Sequence, residues 1–261
     1  MITLASDFGT PYPAAMKGAI LKRCDARLVD IGHEFPRQNV RAAAFWLAQV
    51  LPEFPPAVHL VVVDPGVGTD RSALVVRAGD HVLVGPDNGV LFPPARALAS
   101  GDDDYRADID AYKLEVKEPR SATFHGRDVF APGAAAVHEA GIDRLSELSN
   151  VSPAEHVVDL ELPTADRTAD GAIGEVLVVD GFGNVITNVP GEVLDGRERV
   201  AINGSVVPVA RSYAEVEVGR AIATIGSHGN VELAVNQGRG DEAFRLGVGD
   251  SVEIELAGET E

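Results

Sequence analysis

Six short glycine-rich stretches of this 261-residue chain gather the side chains that could do chemistry. They are Ser6-Asp7-Phe8-Gly9-Thr10, the run from Asp64 through Gly66 and Gly68 to Arg71, Gly85-Pro86-Asp87-Asn88-Gly89, Thr123-Phe124-His125-Gly126-Arg127-Asp128, Asp180-Gly181-Phe182-Gly183-Asn184 and Gly226-Ser227-His228-Gly229-Asn230. Carboxylates and imidazoles are the groups that move protons, and an arginine is a permanent cation that can grip a carboxylate with two parallel hydrogen bonds. Taken singly, each stretch also reads as an ordinary turn, because Asp, Asn and Gly are turn residues. The run 64–71 lacks the Gly-Lys-Ser/Thr ending of a phosphate loop, and no Gly-x-Gly-x-x-Gly opens a helix after the first apolar run. His59 sits inside an apolar run and reads as a packed core residue, while His33, His81, His138 and His156 stand alone in the sequence.

Elements with distinct periodicities must position these turns. Residues 1–5, 27–31 and 57–63 are strand-like, the last a continuous apolar run suited to a strand covered on both faces. Residues 72–77 and 81–84 form a hairpin pattern across Ala78-Gly79-Asp80. Helical spacing appears at 14–24, at 39–51 and at 127–140, the last stopped by Gly141. This alternation predicts a layered α/β domain with a largely parallel sheet over residues 1–155. In such sheets, functional groups gather beyond the carboxyl ends of the strands, where the turns at 6–10, 64–71 and 85–89 would fall. A polar, proline-containing linker is expected at 156–170. Residues 171–261 then read as short strands at 174–179, 199–202, 205–209, 220–225, 231–235 and 251–256, a small all-β barrel or sandwich.

Composition narrows the function classes. The formal net charge is −18, from 40 acidic and 22 basic residues. A field of this sign repels nucleic acid and anionic membrane surfaces. It reads as a solvated acidic surface of the kind salt-adapted proteins carry, and Asp102, Asp103 and Asp104 read as a charged loop within it. The single cysteine, Cys24, excludes an internal disulfide and a cysteine-based zinc cluster. No apolar stretch reaches the length of a membrane span, and the first residues read as a strand rather than a signal peptide, so the cytoplasm is the expected location.

Taken together, the turns are specific. Ser-Asp-Phe-Gly-Thr, Asp-Pro-Gly-Val-Gly, Gly-Pro-Asp-Asn-Gly, Thr-Phe-His-Gly-Arg-Asp-x-Phe-Ala-Pro and Phe-Gly-Asn-x-x-Thr-Asn occur in this order along nearly the whole chain. The set resembles the S-adenosylmethionine hydroxide adenosyltransferase family, hydrolytic relatives of the fluorinases and chlorinases. The resemblance implies hydrolysis of S-adenosylmethionine at ribose C5′ to adenosine and methionine, without a metal or other cofactor. It places a catalytic triad on Asp64, Arg71 and His125. Asp7 would hold the ribose hydroxyls, Phe182 and Asn184 the adenine, Asp180 and Ser227 the methionine end, with Phe124 and Tyr213 as further substrate-binding walls. A homotrimer with sites between subunits is also implied.

This sequence departs from the halogenating relatives. They carry other residues at the Asp64 and His125 positions, one more residue before Phe-Gly-Asn, and Arg where this chain has His228. The alternatives that remain are a halide-dependent adenosyl transferase, a metal-dependent hydrolase built on Asp7, Asp64, Asp87 and His125, and a non-catalytic S-adenosylmethionine or adenosine sensor.

Overall fold

The computed structural model describes residues 1–100, 108–115 and 119–256; the Asp102-Asp103-Asp104 loop lies outside them. The chain divides into two compact units, Met1–Leu162 and Pro163–Glu261. Residues 156–162 of the expected linker thus belong to the first unit and 163–170 to the second.

In the first unit, β1 (Ile2–Ser6) pairs in parallel with β2 (Leu28–Gly32) on one side and with β3 (Val58–Val62) on the other. β5 (His81–Pro86) continues the parallel set beside β3. β4 (Ala73–Ala78), β6 (Ile109–Leu114) and β7 (Val151–Pro153) extend the sheet antiparallel, in the order β2-β1-β3-β5-β4-β6-β7. Side chains alternate between the two faces of a strand, and both faces here are apolar. Ile2, Leu4, Val58, Leu60 and Val62 pack under α1 (Tyr12–Leu21) and α4 (Ala131–Ala140), through Met16, Ile20, Ala134 and Val137. Ala5, Val61, Val63, Leu74 and Leu83 pack under α2 (Val40–Val50) and α3 (Phe92–Ala99). Asn39 caps α2, its side chain accepting from the Ala42 N–H at 3.0 Å. α3 starts with Pro93 and Pro94 in its first turn, where a missing N–H costs nothing.

In the second unit, β8 (Asp166–Thr168) lies on β9 (Gly171–Val179). β10 (Val185–Pro190), β11 (Arg199–Ile202), β12 (Ser205–Pro208), β13 (Ala221–Ile225), β14 (Asn230–Val235) and β15 (Ser251–Leu256) complete an antiparallel sheet, with α5 (Gly240–Phe244) beside it. The order is β12-β11-β15-β9-β10-β14-β13. The end strands meet through a bridge between Val209 and Ala223, which nearly closes a barrel around Val176, Val185, Val189, Leu233 and Ile254. No helix among the described residues is long and apolar enough to cross a membrane.

His59 is a fully buried core residue, as its apolar run suggests, but neither it nor His81 stands alone. Thr3 Oγ1 lies 2.8 Å from His59 Nδ1, and His59 Nε2 lies 2.9 Å from His81 Nδ1. Neighbouring strands bring these side chains together across a separation that sequence spacing does not display. Burial, and then the second imidazole, push the His59 pKa down to about 3 from 6.5. A depressed histidine is neutral in the fold and takes up a proton on unfolding. Its stabilisation is therefore complete above the unfolded value and is lost as pH falls toward the folded one. Urea denaturation is expected to lose about 1.4 kcal/mol per pH unit from His59 alone between about pH 6 and 5. His59→Gln should flatten the slope by that amount; a wild-type midpoint constant across this window would contradict the assignment.

Candidate active site

The strand order places a crevice at the carboxyl ends of β1 and β3. β1 connects to β2 through α1 on one face of the sheet, and β2 to β3 through α2 on the other. The chain therefore diverges between β1 and β3, which is where open α/β sheets hold ligands. A cleft of about 630 Å³ opens there, lined by Asp7, Phe8, Tyr12, Asp64, Phe124 and His125 among others.

Asp64, just beyond β3, is only 8% exposed. Burying a carboxylate is costly unless it is paired and hydrogen-bonded. Arg71 supplies the pairing with a two-pronged grip: its Nε donates to Asp64 Oδ1 at 2.6 Å, and its Nη2 donates to Asp64 Oδ2. The Gly66 N–H also donates to Oδ1, at 3.2 Å. The guanidinium lies 5.0 Å from the centre of the Phe130 ring, and its Nη1 donates to the Ser72 carbonyl at 3.2 Å. Arg71 Nη2 also lies 3.3 Å from His125 Nδ1. An arginine can only donate, so Nδ1 accepts and a neutral His125 carries its proton on Nε2. Burial first, then the Arg71 charge, lower the His125 pKa from its ordinary value.

The loop carrying His125 is held from behind. Asp128, nearly buried, accepts from the Ser121 N–H at 3.0 Å and twice from Arg127, each at 2.7 Å. Residues 126–130 form a π turn that leads into α4. A Cβ on Gly126 would stand 2.9 Å from Met16 Sδ and 3.1 Å from the Phe8 ring, so glycine is what allows this loop to lie against α1 and the β1 turn. Phe8, Tyr12 and Phe124 pack edge to face with centroids 5.4 to 6.2 Å apart. Asp7 Oδ2 accepts from the Gln38 N–H at 2.7 Å.

The second unit holds another polar cluster. Asp180 Oδ1 accepts from the Phe182 and Asn184 N–H groups at 2.9 and 2.8 Å, and Oδ2 accepts from Asn184 Nδ2 at 3.0 Å, so this carboxylate braces its own turn. Asn184 Nδ2 reaches Tyr213 Oη at 3.5 Å. Tyr213 donates to Glu232 Oε1 at 2.5 Å, and His228 Nε2 lies 3.3 Å from Glu232 Oε2. Burial pushes the Glu232 carboxyl up, but the bonds from His228 and Tyr213 outweigh it and hold the pKa below the usual range. Phe182 is 79% exposed, and Ser227 is exposed on the 226–229 turn.

The structure thus brings Asp7, Asp64, Arg71, Phe124 and His125 around one cleft, and Asp180, Asn184 and Tyr213 into one network. Glu232 was not singled out in the sequence; as one polar residue within an apolar strand it carried no motif. His33, which stands alone in the sequence, is hydrogen-bonded to Ser6 and Asp30. Asp87 is turned to the Val158 N–H at 2.8 Å. Among the described residues, no three His, Cys, Asp or Glu side chains converge as metal ligands would.

Residues 2–148 match the SAM hydroxide adenosyltransferase N-terminal domain, and residues 174–253 match its C-terminal domain. The chain belongs to the SAM hydroxide adenosyltransferase family. A relative from Salinispora tropica named (R)-S-adenosyl-L-methionine hydrolase is 37% identical over 97% of each chain. A relative of the same name from Thermus thermophilus is 40% identical over 95% of this chain and 97% of its own. A crystal structure of an uncharacterized conserved protein from Thermotoga maritima superposes with a TM-score of 0.81 at 32% identity, covering 97% of this chain and 99% of that one. The two-domain layout of the family agrees with the two units of the fold.

The Tyr213–Glu232 contact is short and its acceptor is buried and charged. Tyr213→Phe is expected to lower the unfolding free energy by about 1.5–3 kcal/mol, the range for a hydrogen bond to a charged group. Urea titration checks it, with an unchanged slope; a loss within error would mean that His228 alone satisfies the carboxylate.

Proposed function

We propose that the chain hydrolyses S-adenosylmethionine at ribose C5′, releasing adenosine and L-methionine. The observation that carries this reading is the Asp64–Arg71–His125 cluster at the switch-point cleft, in a chain of this family whose relatives bear the hydrolase name. The reaction suits groups of this kind. A new C5′–O bond forms as the C5′–S bond breaks, and the electron pair of that bond goes to sulfur. The sulfonium becomes a neutral thioether, so the leaving group needs no proton and no Lewis acid. What the site must supply is a water held in line with C5′ and an acceptor for its proton; alignment of this kind contributes several kcal/mol, with about 7–11 as its upper range.

We assign the roles as the hydrogen bonds suggest. His125 Nδ1 accepts from Arg71, so Nε2–H is a donor that can hold the water oxygen. Asp64 Oδ1 already accepts from Arg71 and Gly66, whereas Oδ2 accepts from Arg71, which leaves it room for the water proton. Arg71 keeps the pair in register and balances the charge. Asp7 suits the vicinal ribose hydroxyls, because a carboxylate can accept from both. Phe124 walls the cleft in the first unit. In the second, Phe182 and Asn184 offer a ring and an amide to a purine, and Asp180, Ser227 and Tyr213 suit the amino-acid end. We extend the proposal to a homotrimer with sites completed by neighbouring subunits, acting in the cytoplasm. The 79% exposure of Phe182 supports the shared sites, since a large aromatic ring left open in one chain suits cover by another.

Chromatography of reactions with S-adenosylmethionine should show adenosine and methionine in equal amounts, unaffected by chelator or chloride. Asp64→Asn and His125→Ala should each lower kcat by about 10²–10⁴, the usual worth of a positioned acid or base. Chloride-dependent halogenated adenosine, or binding without turnover, would replace the hydrolase by a halide transferase or a sensor. Light scattering should give three times the mass of one chain; a monomer that retains full activity would sink the shared-site proposal. The kcat/KM profile should be flat at neutral pH and fall on the acid side, below about 6.5, because protonated His125 would turn an N–H toward Arg71. An acid limb centred above pH 7 would contradict the lowered His125 pKa.

A further inference from the structure

His33 touches the chain on both sides of Asp7. Its imidazole Nδ1 lies 2.8 Å from Ser6 Oγ, and its carbonyl accepts from the Gly9 N–H at 2.8 Å. Gly9 adopts a φ of +62°, so the turn reverses there. The register between β1 and β2 slips after Leu4, so that Ala5 lies opposite Gly32 and His33 comes level with the turn. The far side of the imidazole is fixed in turn: Nε2 lies 3.0 Å from Asp30 Oδ1, and Lys17 Nζ donates to Asp30 Oδ2 at 2.5 Å. Lys17 belongs to α1 and Asp30 to β2, so the chain of contacts ties helix, strand and turn together.

Serine, histidine and aspartate in sequence contact suggest a nucleophile, but the exposure of Ser6 is zero. A hydroxyl with no access to solvent or substrate does not attack anything. It is a strut, and what it braces is the residue that follows it. With the Gln38 N–H holding Asp7 Oδ2, the His33 ring holding the Ser6 hydroxyl before it and the His33 carbonyl holding the Gly9 N–H after it, the Asp7 carboxylate is oriented from three sides.

We propose that His33 is a positioning residue for ribose recognition, acting through the Ser6–Gly9 turn to fix the Asp7 carboxylate. This rests on the reading of Asp7 as the group that accepts from the ribose diol. His33 does not touch substrate; its effect is to keep both Asp7 oxygens where two hydroxyls can share them. Loss of the Ser6 contact should therefore weaken binding of anything that carries the diol and leave the chemical step alone.

The test compares two isosteric halves of the imidazole in the full-length protein. The amide of His33→Asn sits where Nδ1 was and keeps Ser6; that of His33→Gln sits where Nε2 was and keeps Asp30 instead. His33→Gln should raise the KM for S-adenosylmethionine by about tenfold, the worth of roughly one hydrogen bond to a charged group, with kcat within about twofold, and His33→Asn should restore most of it. Calorimetry with adenosine and 2′,3′-dideoxyadenosine isolates the diol. The preference for adenosine should shrink in His33→Gln, and adding Asp7→Asn should cost little more, since both act on one contact. A preference unchanged in His33→Gln but lost in Asp7→Asn would overturn the positioning role while leaving Asp7 in place. A preference unchanged in Asp7→Asn would overturn both. If His33→Gln does not fold, Ser6→Ala removes the same contact and carries the same expectations.

Discussion

Parallel pairing on both sides of β1 is the constraint from which the first unit follows. A parallel neighbour cannot be reached by a tight turn; the chain must cross the sheet, and the crossovers here are α1 and α2. Since β2 and β3 lie on opposite sides of β1, one crossover passes over each face. Both faces are then covered, β1 and β3 are buried along their whole length, and the loops leaving them part from each other. Polar side chains can collect in that gap without interrupting the core. The cleft is the place where the sheet's own connectivity leaves room.

Within the gap, the Asp64–Arg71 pair does for charge what the helices do for apolar surface. A buried carboxylate without its partner would be strongly destabilising, and a pair of this kind is seldom a net source of stability. Its value is geometric. Arg71 reaches Asp64 with two nitrogens, a backbone carbonyl with a third, and rests on Phe130, which belongs to the turn that follows His125. Packing in the core between the sheet and α1 and α4 thereby sets where the imidazole lies. The second unit uses a related device, a buried carboxylate at Glu232 tying Tyr213 to His228.

Much of this was legible in the sequence. Apolar runs mark β1 and β3, local patterning marks the β4–β5 hairpin, α2 and most of the barrel strands, and the ordered motifs pick out Asp64, Arg71 and His125, the last two 54 residues apart. α3 was missed because Pro93 and Pro94 look like breakers, whereas the first turn of a helix tolerates them. β10 is hidden in the sequence because Thr187 and Asn188 interrupt its short apolar run and Pro190 ends it. The contacts of His33, His81 and Glu232 depend on strand register, which local spacing does not encode. A histidine that looks solitary in one dimension can be one strand away from its partner.

The barrel of the second unit is closed at one place by little more than the Val209–Ala223 bridge and the Ala210 N–H, which donates to the Ala223 carbonyl at 3.1 Å. Every other neighbouring pair of strands on the path shares a ladder. A cylinder with one thin seam does not open uniformly: amide protons along the facing edges of β12 and β13 are the first to meet solvent, while those between β9 and β10 wait for the unit as a whole to unfold. The order of hydrogen exchange around the barrel is thus written in where its circumference was joined last.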